Sequence, residues 1–222
     1  MREGLLQLLA DSVLNILLPG LTMTIPLTIL SFAIGMVIAI VVAMIQVANI
    51  RVLKQLSRFY IWIIRGTPLL VQLYVVFYGL PNLGILINPF PAAVLVFSIS
   101  IGASDAETMR AAIESVSSGQ MEAGYCVGMS YWQIMRRIIL PQAFRTAFPS
   151  LSNSLIGLVK DTSLASNITV LEMLMATQRI IARTYEPLAL YLEVGVIYLI
   201  FSTILTGLQA VGEKRLSKYG KR

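Results

Sequence analysis

The chain contains no histidine and a single cysteine, Cys126, among its 222 residues. Without histidine it lacks the commonest metal ligand and the usual proton shuttle near neutral pH. A lone cysteine excludes an internal disulfide and leaves the redox compartment illegible. Charge is scarce as well. Only 13% of residues are charged, about half of what a soluble domain carries. No charged residue occurs from Ser12 to Ile50 or from Gly66 to Ser104, and each run far exceeds the roughly 20 apolar residues that span a bilayer. Nor is there a low-complexity tract, a repeat of fixed period, an inverted duplication or a Gly-x-x-x-x-Gly-Lys-Ser/Thr phosphate loop. No small-residue cleavage site follows the Leu-rich start, so the first span is expected to act as its own insertion signal.

What is present is apolar: 57% of residues are hydrophobic and mean hydropathy is +0.79. These values predict an all-α integral membrane protein. Five spans are expected, at 21–48, 60–80, 92–109, 143–159 and 188–211. Pro19-Gly20 is read as a break separating the first span from an interfacial stretch within residues 1–20, with Pro26 in the span's first turns, where a missing N–H matters least. The dense turn signal from Pro81 to Pro91 splits the second uncharged run into two helices. Only a short uncharged stretch separates Arg145 from Lys160, so the fourth crossing is tight, and a more polar helix follows at 168–183. A single transmembrane domain is expected over 21–211, followed by a basic tail over 212–222.

Basic residues set the orientation. With the N-terminus outside, the inner segments hold Arg51, Lys54, Arg58, Arg65, Arg110, Arg136, Arg137, Arg145, Lys214, Arg215, Lys218, Lys221 and Arg222. Arg2, Lys160, Arg179 and Arg183 remain outside. The C-terminus is therefore expected inside, and the net charge of +6 is read as loop topology, with no role in nucleic-acid binding.

This places a loop over about 115–141 in the cytoplasm. Upstream of it, spacing permits Glu107–Arg110 and Arg110–Glu114 pairing. A short helix is expected to start near Glu122, whose carboxylate suits a helix N-terminus. Gly124 and Gly128, four apart, are read as sharing one face open to close approach. Tyr131 and Trp132 suit an interface, and Pro141 permits a new helix. The segment is either a docking helix for a cytoplasmic partner or an amphipathic helix on the inner leaflet.

The run Glu122-Ala123-Gly124, Gly128, Ile138, Leu140-Pro141 resembles the loop shared by inner-membrane permeases of ABC importers, with Gly124 where alanine is usual. Three more stretches resemble the polar amino acid branch of that family. They are Arg65-Gly66-Thr67-Pro68-Leu69-Leu70-Val71-Gln72-Leu73; Gly119-Gln120 with Gly128-Met129-Ser130-Tyr131-Trp132; and Lys160-Asp161-Thr162-Ser163-Leu164. The resemblance implies a non-catalytic permease subunit in a bacterial cytoplasmic (inner) membrane. It implies a cytoplasmic coupling helix, with Glu122, Ala123, Gly124, Gly128, Met129, Tyr131, Trp132, Leu140 and Pro141 in the ATPase-coupling loop. Implied partners are an ABC ATPase subunit dimer carrying ATP and Mg, a second permease copy or sister permease, an extracytoplasmic amino-acid-binding protein and lipid. The chain itself is expected to bind no cofactor, metal or nucleic acid.

Departures from the family pattern are visible. Ser104-Asp105 stands where Tyr-x is usual, Ser117 where proline is common, and Ser152 where glycine usually precedes Asn153. Polar residues inside spans are costly, so Gln72, Asn153, Ser154 and Asp161 are the candidate solute path. Each has a bland alternative: an interhelical hydrogen bond for the first three, and a paired, wet helix break for Lys160-Asp161. Glu193 is read as facing an outer vestibule or pairing with Arg179 or Arg183. In family members that take cationic amino acids, an acidic residue at position 154 is taken to pair the substrate; serine here implies a neutral or weakly charged amino acid. The alternative function is a self-contained secondary carrier or channel. It lacks support from any cluster of facing acids or pore-lining ring.

Overall fold

The computed structural model describes residues 2–48 and 50–217; residues 218–222 of the basic tail lie outside this range. Among the described residues there are ten α-helices: α1 (Arg2–Pro19), α2 (Ile25–Ala48), α3 (Arg51–Gly66), α4 (Leu69–Tyr74), α5 (Pro89–Glu114), α6 (Ser118–Cys126), α7 (Tyr131–Ile134), α8 (Leu140–Asp161), α9 (Met173–Thr184) and α10 (Pro187–Ser217). No strand occurs among the described residues, as a chain with these apolar runs requires. Among the described residues, three helical stretches are long and apolar enough to cross a bilayer: Gly4–Ala48, Pro89–Glu114 and Pro187–Leu216. A fourth is added if Arg51–Gly66 and Leu69–Leu83 form one broken span.

Several prolines behave differently from the sequence expectation. Pro19-Gly20 is not a break: α1 runs through a π-helical turn, Gly20–Thr24, directly into α2. Likewise α7 runs through a second π turn, Met135–Ile139, into α8, so Pro141 starts no new helix. A third π turn occupies Val75–Gly79. Each ends two residues before a proline, at Pro26, Pro81 and Pro141. The residue just before that proline donates five residues back: Ile25 to Gly20, Leu80 to Val75, Leu140 to Met135. Proline removes the i→i−4 bond and crowds the i−4 carbonyl. A widened turn placed just upstream absorbs both effects. The second span does break, where Thr67 and Pro68 separate α3 from α4 and Pro68 is extended.

The described chain forms two compact units. The described residues within 1–33, 67–98 and 155–207 make the first; those within 34–66, 99–154 and 208–217 make the second. In the first unit, α1 is not set apart. Ile16 packs with Met173, Val194 and Ile197 in a buried cluster. Gly20 is needed for this contact, because a Cβ there would come within 2.8 Å of Met173 Sδ. In the second unit, Ala39, Ile61, Ala103 and Ala106 form one buried cluster. Tyr60 donates to the carbonyl of Ile99 at 2.6 Å. A Cβ on Gly102 would meet Ile38 Cγ2 at 2.5 Å, so only glycine fits there. Small residues permitting close approach are the usual device of helix packing in membranes.

The units also divide the charge. Arg51, Lys54, Arg58, Arg65, Arg110, Arg136, Arg137, Arg145, Lys214 and Arg215 fall in the second, while Lys160, Arg179 and Arg183 fall in the first.

Candidate functional site: a capped loop and buried acids

The second unit carries the loop. Helix α6 begins at Ser118, so Glu122 lies inside it, exposed, and not at its N-terminus. The helix ends in a Schellman arrangement: Gly128 N–H donates to Tyr125 O at 2.9 Å and Met129 N–H to Gly124 O at 3.0 Å. Gly128 holds φ +79°. It is therefore the left-handed cap residue, not a partner of Gly124 on one helix face. Gly128→Ala is expected to lower stability by about 1 kcal/mol; thermal unfolding of the purified protein checks this, and an unchanged midpoint would contradict the cap.

Gly124 has a separate purpose. It is buried, and a Cβ there would lie 2.6 Å from Ile134 Cγ1. Ile134 itself is fully buried on α7. Ser130 starts α7 through a capping box, its Oγ accepting from Gln133 N–H while Gln133 Oε1 accepts from Ser130 N–H at 2.9 Å. The result is a compact helical corner. On its outside it exposes Tyr125, Val127 and Trp132, at 52%, 75% and 66%. Ala123 and Cys126 are also exposed, Met129, Tyr131 and Leu140 half-buried, and Pro141 exposed. Tyr125 and Val127 went unnoticed in the sequence, where nothing distinguishes an outward from an inward residue on so short a helix.

Upstream, the spacing argument holds at Arg110, which pairs with Glu107 at 3.1 Å and Glu114 at 2.7 Å. Inside α5, Asp105 is 1% exposed. Its Oδ1 accepts from Ser154 Oγ on α8 at 2.7 Å, and its Oδ2 has no partner. The acid at 105, one of the departures from the family pattern, thus meets the serine at 154. Neighbouring Asn153 is exposed.

The first unit holds the other polar candidates. Gln72 donates to Thr67 Oγ1 at 2.9 Å and to Thr67 O at 3.2 Å, which closes the helix break at Pro68. Tyr78 donates to Asn167 O at 3.0 Å. Lys160 and Asp161 are both exposed at the end of α8. Glu193 pairs with neither arginine; it accepts from Ser12 Oγ on α1 at 2.6 Å. Glu172, fully buried, caps α9 by accepting from Leu174 and Met175 N–H at 2.8 Å and takes a third bond from Tyr198 at 2.6 Å. Among the described residues, no group of three or more acids or cysteines is placed to hold a metal.

Comparisons with known proteins bear on this arrangement. Residues 31–218 match the family described as "binding-protein-dependent transport system inner membrane component". The chain is 46% identical over 213 residues to the L-cystine transport system permease protein TcyB of Bacillus subtilis, covering 96% of this chain and 91% of that protein. It is 39% identical to the L-cystine transport system permease protein TcyL of the same organism, covering 90% and 88%. Among solved structures, a crystal structure of an amino acid ABC transporter with histidines superposes with a TM-score of 0.81 at 34% identity, covering 90% of this chain and 94% of that one.

Proposed function

Because this chain belongs to the family of binding-protein-dependent transport system inner membrane components, we propose that it moves a neutral or weakly charged polar amino acid by alternating access, driven by an ABC ATPase. Its class, an amino-acid ABC importer permease, follows from the family and the relatives. The observation that carries the mechanism is the capped corner of α6 and α7, which turns Tyr125, Val127 and Trp132 outward. A rigid apolar knob suits a groove on a cytoplasmic ATPase, and its rigidity lets movement of the ATPase pass into the helices. The loop residues Glu122, Ala123, Gly124, Gly128, Met129, Tyr131, Trp132, Leu140 and Pro141 build or flank this knob.

Five spans, with the N-terminus outside and the C-terminus inside, are supported by the basic residues gathered in the second unit. The setting is a bacterial cytoplasmic membrane. ATP and Mg belong to the ATPase pair, and an extracytoplasmic binding protein delivers the solute. A second permease copy or a sister permease completes the pathway. Gln72, Asn153, Ser154 and Asp161 are assigned to the solute path. Neutrality is supported by Ser154, and by the burial of Asp105, which turns its carboxylate to Ser154 and away from solvent. The cystine systems among the relatives agree, since cystine carries as many ammonium as carboxylate groups.

Reconstitution with the ATPase and binding protein tests the proposal. Cystine, glutamine or another neutral amino acid is expected to stimulate ATP hydrolysis above arginine and lysine. Stimulation by cationic amino acids alone would overturn the substrate reading, and uptake into vesicles lacking any ATPase would overturn the mechanism.

A further inference from the structure

Hydroxyls inside helices commonly bond back to a carbonyl three or four residues earlier. Ser57, Ser98 and Ser115 do so, donating to Lys54 O, Val94 O and Ala112 O at 3.0, 2.6 and 2.8 Å. Ser154 instead sends its hydroxyl out of α8, to Asp105 Oδ1 on α5 at 2.7 Å.

A hydroxyl carries one hydrogen and two lone pairs, and a carboxylate can only accept. The hydrogen of Ser154 is therefore committed to Asp105, and Oγ has lone pairs alone left to offer. Asp105 is 1% exposed, whereas Ser154 is half-buried. The acid has almost no surface of its own for a solute, so it acts outward through the serine. Arg110, on the same helix, pairs with Glu107 and Glu114, which leaves the Asp105 side chain to Ser154.

We propose that Asp105 is a positioning residue for solute recognition. By holding the Ser154 hydrogen inward it makes Ser154 a contact that only accepts, so the group that meets α8 there is an N–H donor, the ammonium of the amino acid. This rests on the assignment of Ser154 to the solute path and adds which end of the zwitterion faces it. A carboxylate in that place would find lone pairs and no hydrogen, so the solute enters in one orientation.

Equilibrium binding to the solubilised permease–ATPase complex, without binding protein, tests the proposal. The probes are radiolabelled L-glutamine and N,N,N-trimethyl-L-glutamine, which keeps the positive charge but has no N–H on its ammonium. The unaltered complex is expected to prefer glutamine about tenfold, the worth of one hydrogen bond to a charged group. Ser154→Ala removes the acceptor, and Asp105→Ala releases the hydroxyl to swing back to its own helix. Each is expected to weaken glutamine binding about tenfold and to abolish the preference, and the double variant to lose no more than either alone, because both act on one contact. Ser154→Thr, which keeps the hydroxyl, retains the preference. Equal binding of the two probes by the unaltered complex would overturn the proposal. So would a preference that survives in both alanine variants, which would be crowding by the methyl groups, or an Asp105→Ala variant that weakens both probes alike, which would be a structural loss. Glutamine binding untouched by Ser154→Ala would instead remove Ser154 from the solute path and overturn the reading beneath. Weakening by Ser154→Ala with none by Asp105→Ala would leave that reading standing and overturn only the role of the acid.

Discussion

Ser154→Glu is expected to lose about 3 kcal/mol or more of stability, enough to leave little folded protein in the membrane. The Ser154 hydroxyl donates to Asp105 at 2.7 Å, and Asp105 already has one buried oxygen without a partner. A glutamate here removes that donor and sets a second carboxylate against the buried first one. The same substitution is also the obvious way to ask whether an acid at 154 recruits cationic amino acids, and alone it cannot answer. Paired with Asp105→Ala, which removes the competing carboxylate, it is expected to regain folded protein. Yield and thermal midpoint after solubilisation read the first effect. Arginine uptake relative to glutamine in the double variant reads the second. A single variant as stable as the parent would mean that the Asp105–Ser154 contact does not form.

The other large effect is expected at Gly124. Alanine, the residue usual at this place in the family, would put its Cβ 2.6 Å from Ile134 Cγ1 and 2.8 Å from Cδ1. Ile134 is fully buried and has nowhere to retreat. Overpacking of this kind costs about 1–3 kcal/mol, and here it pries α6 from α7, so ATPase stimulation by solute should fall with stability. Ile134→Ala alone should cost about 2–5 kcal/mol by opening a cavity. Together the two should cost less than their sum by about 1 kcal/mol or more, because each removes the other's defect. Additivity within about 0.5 kcal/mol, the behaviour of independent sites, would sink this account. Gly124 is buried, and its missing side chain admits Ile134.

Features governed by local spacing or by long composition runs were legible in the sequence. The uncharged runs marked the apolar spans, and the i+3 and i+4 spacing at Arg110 gave both of its ion pairs. Prolines misled, because proline signals the loss of one hydrogen bond and does not say whether the helix ends or widens. Pro68 interrupts a helix, whereas Pro26 and Pro141 sit in continuous ones behind π turns. Gly128 looked like a packing residue, since a glycine's sign of φ is not written in its neighbours. Contacts between distant residues were beyond reach. Asp105 and Ser154 lie 49 positions apart and Ser12 and Glu193 lie 181 apart, so neither acid's partner could be named until the helices were assembled.

The π turn at 135–139 has a consequence for exchanging loops between relatives. A π turn contains one residue more than the α-helical path it replaces, and each residue of an α-helix turns the chain by about 100°. A graft carrying the loop of another permease, but one residue shorter between Ile134 and Leu140, would rotate the whole of α8 by that amount. Ser154 would then point away from Asp105, although neither residue had been changed. The docking corner and the helix bearing the buried acid's donor are thus indexed to each other by a single counted residue, and chimeras must be cut on a side of that turn that leaves its length intact.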